Sequence, residues 1–529
     1  MDAIMTVNPI LMQVFKNRFA SISEEMGVTL NRTAFSPNIK ERRDCSCAIF
    51  DAAGEMIAQA AHIPVHLGSM PLSVRAAIDC CQFEEGDMVM LNNPFQGGTH
   101  LPDITIVAPV FYGGPEPVYY VANRAHHADV GGMTSGSMPL STSIFQEGII
   151  ISPLKIVERG AVDRKILDFL KTNVRTPIER EGDFAAQIMA NFTGIQRTLE
   201  LLKKYGLDQV NFYAGSLKDY AERVMRATIE SIPDGCYQFT DVLDDDGIGT
   251  KQIAIRLKMR VAGDRATLDF SESDPQVAGS VNAVRAITLS AVLYVFRSLI
   301  REDVPTNAGI LRPLEIITKP GTIVDARFPA AVAGGNVETS QRIVDVLLGA
   351  LAAALPDIIP AASQGTMNNV AIGGVDPRTG NPFAYYETLG GGCGATAGNH
   401  GESAMHSHMT STLNTPIEAL EFAYPLQVTE YSIRKGSGGK GRFDGGDGLV
   451  REIRLLSDAE VTVLSERRTN APYGLAGGAP GQPGKNTLIK KGQTQVMPGK
   501  FSVRLLAGDL VRIETPGGGG YGRPRPSDE

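Results

Sequence analysis

The sequence predicts an α+β fold: a multi-domain, mixed α/β chain with antiparallel sheets, a central helical segment and a Gly-rich, β-rich C-terminal region. Three observations predict it. Apolar residues recur at helical spacing between Asp183 and Ser231. Ile253, Ile255, Leu257 and Met259 alternate strictly, as in a half-buried antiparallel strand. Glycine clusters then punctuate short alternating strands from residue 386 onwards. At ~150 residues per domain, 529 residues predict two or three domains. The composition shifts divide the chain into 1–180, 181–232, 233–385 and 386–529.

Asn8-Pro9 starts a helix by the cap-then-proline rule, and Ile10, Val14, Ile22, Met26 and Leu30 follow near helical spacing. Cys45–Phe50 and Glu55–Ala60 flank Asp51-Ala-Ala-Gly54 as a hairpin. His62 and His66 follow, with Pro64 between them arguing against one helix presenting both. Gly86–Leu91 and Val118–Asn123 read as strands whose ends deliver two His/Asp clusters to one place. Ile188, Phe192, Ile195, Leu199 and Leu202 form an amphipathic stripe that Gly206 ends, and a second helix is expected over Leu217–Ile229. Asp244-Asp245-Asp246-Gly247 lacks the bidentate Glu of a calcium loop and reads as a solvated turn. Residues 280–300 and 340–355 read as helices, the second preceded by a Gly-rich loop, Gly334–Arg342, whose amides are suited to an anion. The C-terminal glycines mark close backbone approach or positive φ, not linkers.

Composition narrows the function. Apolar content of 43% and charged content of 20% are ordinary for a globular protein. A net charge of −8 without a basic run, and no tryptophan, argue against nucleic acid. The six cysteines form no zinc-ribbon spacing, the N-terminus has no basic-then-apolar leader, and Ile343–Pro360 is too short to span a bilayer. The expectation is a reduced, soluble, cytoplasmic protein with no membrane contact. Neither a P-loop nor a strand–GxGxxG–helix unit is present, so nucleotide binding is expected elsewhere.

The chemistry concentrates in Gly97-Gly-Thr-His-Leu-Pro-Asp103 and Ala125-His-His-Ala-Asp-Val-Gly-Gly132. Of eight histidines, three fall within these stretches together with two aspartates. Imidazole plus carboxylate on glycine- and proline-fixed turns suits a catalytic divalent metal, Zn, Mn or Fe; structural loops with hydrogen-bonded histidines are the alternative.

These stretches, with Asn93-Pro-Phe-Gln96, Gln146-Glu-Gly-Ile149, Gly334-Gly-Asn-Val-Glu-Thr-Ser-Gln-Arg342, Asn414-Thr-Pro-Ile-Glu-Ala-Leu-Glu421 and Thr515-Pro-Gly-Gly-Gly-Gly-Tyr-Gly522, resemble the hydantoinase B/oxoprolinase family over nearly the whole chain. The resemblance implies the metal-bearing component of an ATP-dependent cyclic amidohydrolase acting on a hydantoin, 5-oxoproline or a lactam. An A-type partner would bind ATP-Mg and phosphorylate the substrate oxygen, in a heterotetramer or larger complex, and metal-activated water would open the ring. The alternative is a component of an ATP-dependent ketone carboxylase of the acetone/acetophenone type. Carried over by the resemblance, His100, Asp103 and His126 or His127 are metal ligands. Asp129 orients a ligand imidazole or forms a turn. Glu147 and Glu338 are acid/base candidates, with helix cap or salt bridge as the alternative, and Arg342 pairs with substrate or phosphate or sits in a surface ion pair at a helix start. His400, His406 and His408 form a third polar cluster, either lining the pocket or solvated, with Met405 beside it expected in the core.

Overall fold

The computed structural model describes residues 6–61 and 63–524. Helix α1 (Pro9–Thr33) starts where the Asn8 side chain accepts the amides of Ile10 and Leu11. Its buried stripe is Phe15, Phe19, Ile22, Met26 and Leu30, while Ile10 stays exposed. After the short α2 (Pro37–Lys40), the predicted hairpin is β1 (Cys45–Asp51) paired with β2 (Met56–Ala61). His62 lies outside the described residues. Helix α3 (Met70–Cys80) leads to β3 (Met88–Leu91), β4 (Asp103–Phe111), β5 (Pro117–His126), β6 (Leu154–Glu158) and β7 (Ala161–Val162).

These strands form one antiparallel sheet of order β2-β1-β5-β4-β3-β6-β7. After α4 (Arg164–Thr172), α5 (Pro177–Tyr205) packs with α1 on one face of the sheet, and α3 covers the other. Burial on both faces explains why sequence patterning passes over β4: Asp103 to Val110 are all buried, so no alternation survives. Helix α6 starts at Leu207 (Leu207–Glu230), ten residues before the expected Leu217, because Gly206 (φ 78°) turns the chain without a linker.

A second sheet has the order β11-β10-β9-β8, from β8 (Gly235–Asp245), β9 (Lys251–Ala262), β10 (Arg265–Asp269) and β11 (Leu314–Ile317). In β9 the four alternating residues are all buried, as their pattern requires. The Asp244–Gly247 segment is not solvated. Buried Asp244 accepts the amides of Arg468, Thr469 and Asn470, and buried Asp246 accepts those of Ile248, Gly249 and Thr250. Helices α7 (Arg285–Leu299) and α8 (Ser340–Ala354) pack against each other, and α8 lies on β8 and β9.

The C-terminal part carries β12 (Asn369–Val375), β13 (Pro382–Glu387), α9 (Ile417–Ala423), β14 (Leu426–Arg434), β15 (Gly448–Leu455), β16 (Ala459–Leu464), β17 (Lys485–Lys490), β18 (Gln493–Met497), β19 (Lys500–Leu505) and β20 (Leu510–Glu514). They build sheets of order β13-β12-β16-β19 and β14-β15-β20-β17-β18. Between them, glycine loops stack backbone on backbone: the Gly518 amide donates to Gly446 O and the Gly446 amide to Cys393 O, each at 2.9 Å. A Cβ on Gly518 would stand 2.0 Å from Cys393 O, so close approach requires the glycine. Among the described residues, no helix is long and apolar enough to cross a membrane.

Candidate active site

Strands β4 and β5 pair so that Asp103 stands directly opposite His126. The tight turn Gly97–Pro102 precedes β4, so the first cluster sits at a strand start, not at the end of β3 as the sequence order suggests. Asp103 Oδ1 lies 3.1 Å from His100 Nε2 and 3.0 Å from His126 Nδ1, and these two nitrogens are 3.2 Å apart. His66 Nε2 approaches Asp103 Oδ2 at 3.5 Å, from the turn Pro64–His66. Thr99 donates a 2.6 Å hydrogen bond to the same Oδ2, and Asn336 Nδ2 lies 3.4 Å away. His66, His100, Asp103 and His126 are all buried.

Proton accounting shows what this arrangement suits. His100 Nδ1 faces the Ala333 carbonyl at 3.3 Å, an acceptor only, so Nδ1 carries a hydrogen and in the neutral ring Nε2 presents a lone pair. In the neutral ring that lone pair faces a carboxylate oxygen at 3.1 Å, a pair of acceptors that a cation between them would satisfy. Two ligand atoms ~2.1 Å from one ion stand about 3.0–3.4 Å apart, which matches the three distances. His100, Asp103 and His126 therefore could hold a divalent cation, while His66 faces the other oxygen of Asp103. Burial pushes the Asp103 carboxyl upward, yet the surrounding imidazoles of His100, His126 and His66 hold it well below the usual carboxylate range. Burial lowers His126 below the ordinary imidazole value despite its bond to Asp103.

The remaining predicted residues are placed elsewhere. His127 takes no part in the cluster. As a neighbour of His126 it points the other way, with Nε2 2.9 Å from Gln187 Oε1 and its ring against Phe184. Burial pushes its imidazole down to about 4. Asp129 touches no imidazole; it accepts the amides of Gly131 and Arg175 and pairs with the Arg175 guanidinium at 2.9 Å. Glu147 is a cap: Oε1 accepts the amides of Val332 and Ala333 and the hydroxyl of Ser141. The segment Gly334–Arg342 is no anion-holding loop. Residues Gly335–Thr339 form a π-helical turn continuous with α8, and the Glu147 carboxylate already occupies the amides just before it. Glu338 is buried, accepting Met367 N and Asn369 Nδ2. Burial raises both glutamates to about 7, the charge of Glu466 adding to the effect at Glu338.

Arg342 is fully buried rather than on the surface. It pairs with Asp241 at 3.0 Å, in a network where Arg467 bridges Asp241 and Asp345 at 2.6 Å each. The three C-terminal histidines disperse. His400 accepts the Asp444 amide, His406 is enclosed without a hydrogen-bond partner among the described residues, and His408 lies 3.5 Å from Tyr294 OH and 3.9 Å from Asp345. Met405, expected in the core, is exposed.

Sequence reasoning misses four residues. His66 and Asn336 line the same small cavity as Asp103 and His126, and Tyr386 stacks on the His126 ring at 4.7 Å. Arg42, buried, sits over Tyr386 and donates to Thr388 and Thr412. Pro64 does exclude a long helix, but a proline readily starts the single turn that points His66 inward. The cavity measures 20 Å³, room for about one water. His126 Nε2 and Asn336 Oδ1, on two of its wall residues, are buried without a partner among the described residues. The Asn336 amide is oriented by Asp103, which can accept only from its nitrogen.

A family model described as hydantoinase B/oxoprolinase matches residues 8–524. A 5-oxoprolinase of Dictyostelium discoideum is 42% identical over 98% of this chain and 40% of its own length, so the chain spans about two fifths of that relative. A protein of Pseudomonas sp., provisionally named as the B component of a D-/L-hydantoinase, is 31% identical over 98% of this chain and 90% of its own. The ATP-dependent caprolactamase of Pseudomonas jessenii superposes with a TM-score of 0.92 at 30% identity, over 98% of this chain and 92% of that one. Nucleotide-free acetone carboxylase gives 0.90 at 19% identity over 97% and 76%, a likeness of fold alone.

Proposed function

The chain belongs to the hydantoinase B/oxoprolinase family, and from that premise we propose that it is the ring-opening component of an ATP-dependent cyclic amide hydrolase. The similarity to 5-oxoprolinase and to caprolactamase supports the reaction class. One observation carries the site: a buried His/Asp cluster adjoins a cavity whose walls include an unsatisfied imidazole nitrogen and an unsatisfied amide oxygen. A ring amide carries an acceptor oxygen and a donor N–H side by side, which suits one unpartnered group of each kind.

In this reading His100, Asp103 and His126 hold a divalent ion, Zn, Mn or Fe, with His66 beside them. Bound there, the ion supplies Lewis acidity and acidifies water. The chain's own residues do the positioning. His100 is aimed by the carbonyl of Ala333, a residue whose own amide N–H is held by Glu147. With His126 Nδ1 turned to the cluster, Nε2 carries a hydrogen that can be donated to a substrate oxygen or to the departing ring nitrogen. Asn336 Oδ1 accepts from a substrate N–H. Tyr386 fixes the His126 ring by stacking, and its hydroxyl is tied at 2.7 Å to Asn369, which Glu338 holds in turn. Glu147 and Glu338 thus act as positioning groups. Phosphorylation of the substrate oxygen falls to an A-type, ATP-Mg-binding partner. The unmatched three fifths of the 5-oxoprolinase relative and the B designation of the Pseudomonas sp. protein support that division of labour.

The test is a coupled assay of this chain co-expressed with the adjacent A-type partner, using 5-oxoproline, hydantoin and caprolactam with and without bicarbonate. Ring-opened product with ADP, independent of bicarbonate, is expected. Turnover confined to a ketone plus bicarbonate would make the chain a carboxylase component instead. In parallel, metal analysis of His100→Ala and Asp103→Asn should show loss of the ion with the fold intact; full metal occupancy in both would sink the ligand assignment.

A further inference from the structure

Remote from the His/Asp cluster in sequence, a cavity of 370 Å³ opens between β14, the segment after β16 and the start of β17. Three cations line it, Arg434, Arg468 and Lys485, and no carboxylate does. Among the described residues, the one carboxylate within 4.0 Å of these three is Glu514, 3.9 Å from Arg434 Nε. Arg468 is held by neutral oxygens alone. Nε and Nη2 donate to Asn486 Oδ1, Nη2 also to Asn368 Oδ1, and Nη1 to the Glu466 carbonyl. Four of its five N–H groups are thereby used and one Nη1 hydrogen remains. Arg434 donates from Nη1 to the carbonyls of Pro483 and Thr515, and its Nη2 has no acceptor among the described residues. Lys485, exposed at the cavity, has no ion pair among them.

The backbone is shaped for this. A Cβ on Gly484 would stand 2.6 Å from Arg468 Nη1, so the guanidinium lies directly against the chain at the cavity wall. Burial pushes Arg468 down to about 10 despite the nearby charges of Glu338 and Asp244, with Arg434 adding to the depression. The two guanidinium groups repel one another and are hydrogen-bonded, among the described residues, only to carbonyls and side-chain amides. Glu514 and Asp447 near Arg434, and Glu338, Asp244 and Glu466 near Arg468, offset part of their charge from outside the cavity lining.

We propose that Arg434, Arg468 and Lys485 form a binding site for a phosphate-type oxyanion. Arginine N–H groups and a lysine ammonium from three positions match an oxyanion with three or more acceptor oxygens better than a carboxylate with two. The site is one residue removed from the candidate active site. Asn368, which holds Arg468, lies between Met367, in the wall of the 20 Å³ cavity, and Asn369, which holds Tyr386. This inference does not require the proposed reaction, although an ATP-driven hydrolysis would release such an anion.

The test is titration of the full chain with inorganic phosphate by calorimetry at constant ionic strength, with acetate as the carboxylate probe. Saturable phosphate binding below about 10 mM, weakened roughly tenfold in both Lys485→Gln and Arg434→Gln, is expected. Lys485 is exposed and its variant should melt as the parent does, which guards against a folding artefact at Arg434. Binding should persist in His100→Ala, separating this site from the His/Asp cluster and its fate from that of the hydrolase reading. Absent saturation, parental affinity in both charge variants, loss in His100→Ala alone, or equal binding of acetate would each overturn the proposal.

Discussion

His126 and His127 are chemically identical neighbours with opposite fates. At the end of β5, successive side chains leave on opposite faces, so one ring meets Asp103 and the other meets Gln187 under α5. Replacing His126 with Ala should abolish metal binding, whereas His127→Gln should keep it; equal metal loss in both, by metal analysis, would contradict the assignment. The buried Glu338 gives a pH prediction. Its folded value is raised from 4.5 to about 7, so the folded state favours the protonated carboxyl. That contribution is complete below about pH 4.5 and is lost as pH rises through about 7. Glu338→Gln keeps an acceptor for Met367 and Asn369 without the ionisation, so its melting curve should gain on the parent between pH 5 and 8, by up to about 3 kcal/mol. A constant difference across that range would count against the buried-carboxyl account.

Elements carry the residues to their places, and two of them can be probed by mutation. The π-turn Gly335–Thr339 presents Asn336 to the cavity and Glu338 to β12, and a Cβ on Gly335 would stand 1.9 Å from Asn282 O. Gly335→Ala must therefore displace the turn, and a shift near 1 Å at a positioned group costs about 100-fold in turnover. Turnover within twofold of the parent would show that the turn does not set the geometry. The Glu147 cap holds the amide of Ala333, the residue whose carbonyl aims His100. Glu147→Gln retains an acceptor and should retain metal affinity, while Glu147→Ala should lose about 10–100-fold, measured by competition with a chelator. Periodicity reveals the elements that bury one face, such as α1 and β9, since their alternation or stripe survives in the residues. It is silent on β4, buried on both faces, and on the π-turn, which shares its glycines with an ordinary loop.

The whole molecule joins regions that lie far apart in the sequence. One hydrophobic core runs from Phe15 to Leu464, and the candidate site draws His66, His100 and His126 from the first sheet and its turns, Asn336 from the π-turn and Tyr386 from β13. Its 20 Å³ cavity is far below the ~300–1,000 Å³ of ligand pockets, so a ring substrate requires one wall to move. Residues 405–412 supply Met409, Thr410 and Thr412 to that wall and contain His408 at φ 56°. Hydrogen exchange in this segment should change on substrate binding; unchanged protection there, with saturating substrate, would place the opening elsewhere. A divalent ion at about 100 times its Kd should stabilise the chain by about 2.7 kcal/mol, and His100→Ala should abolish the gain in melting temperature.

Composition, spacing and motif order by themselves determined the α+β class, the helical stripes, the alternating strands and the stretch where the His/Asp chemistry lies. These depend on local periodicity and on which residue types occur, and both are written along the chain. The tertiary structure alone decided that His126 and not His127 meets Asp103, that His66 and Asn336 join them, and that Glu147 and Glu338 lie buried against the amides of Val332, Ala333 and Met367. Those outcomes depend on strand register, helix docking and burial, which arise from contacts between residues up to hundreds of positions apart, such as His100 with Ala333.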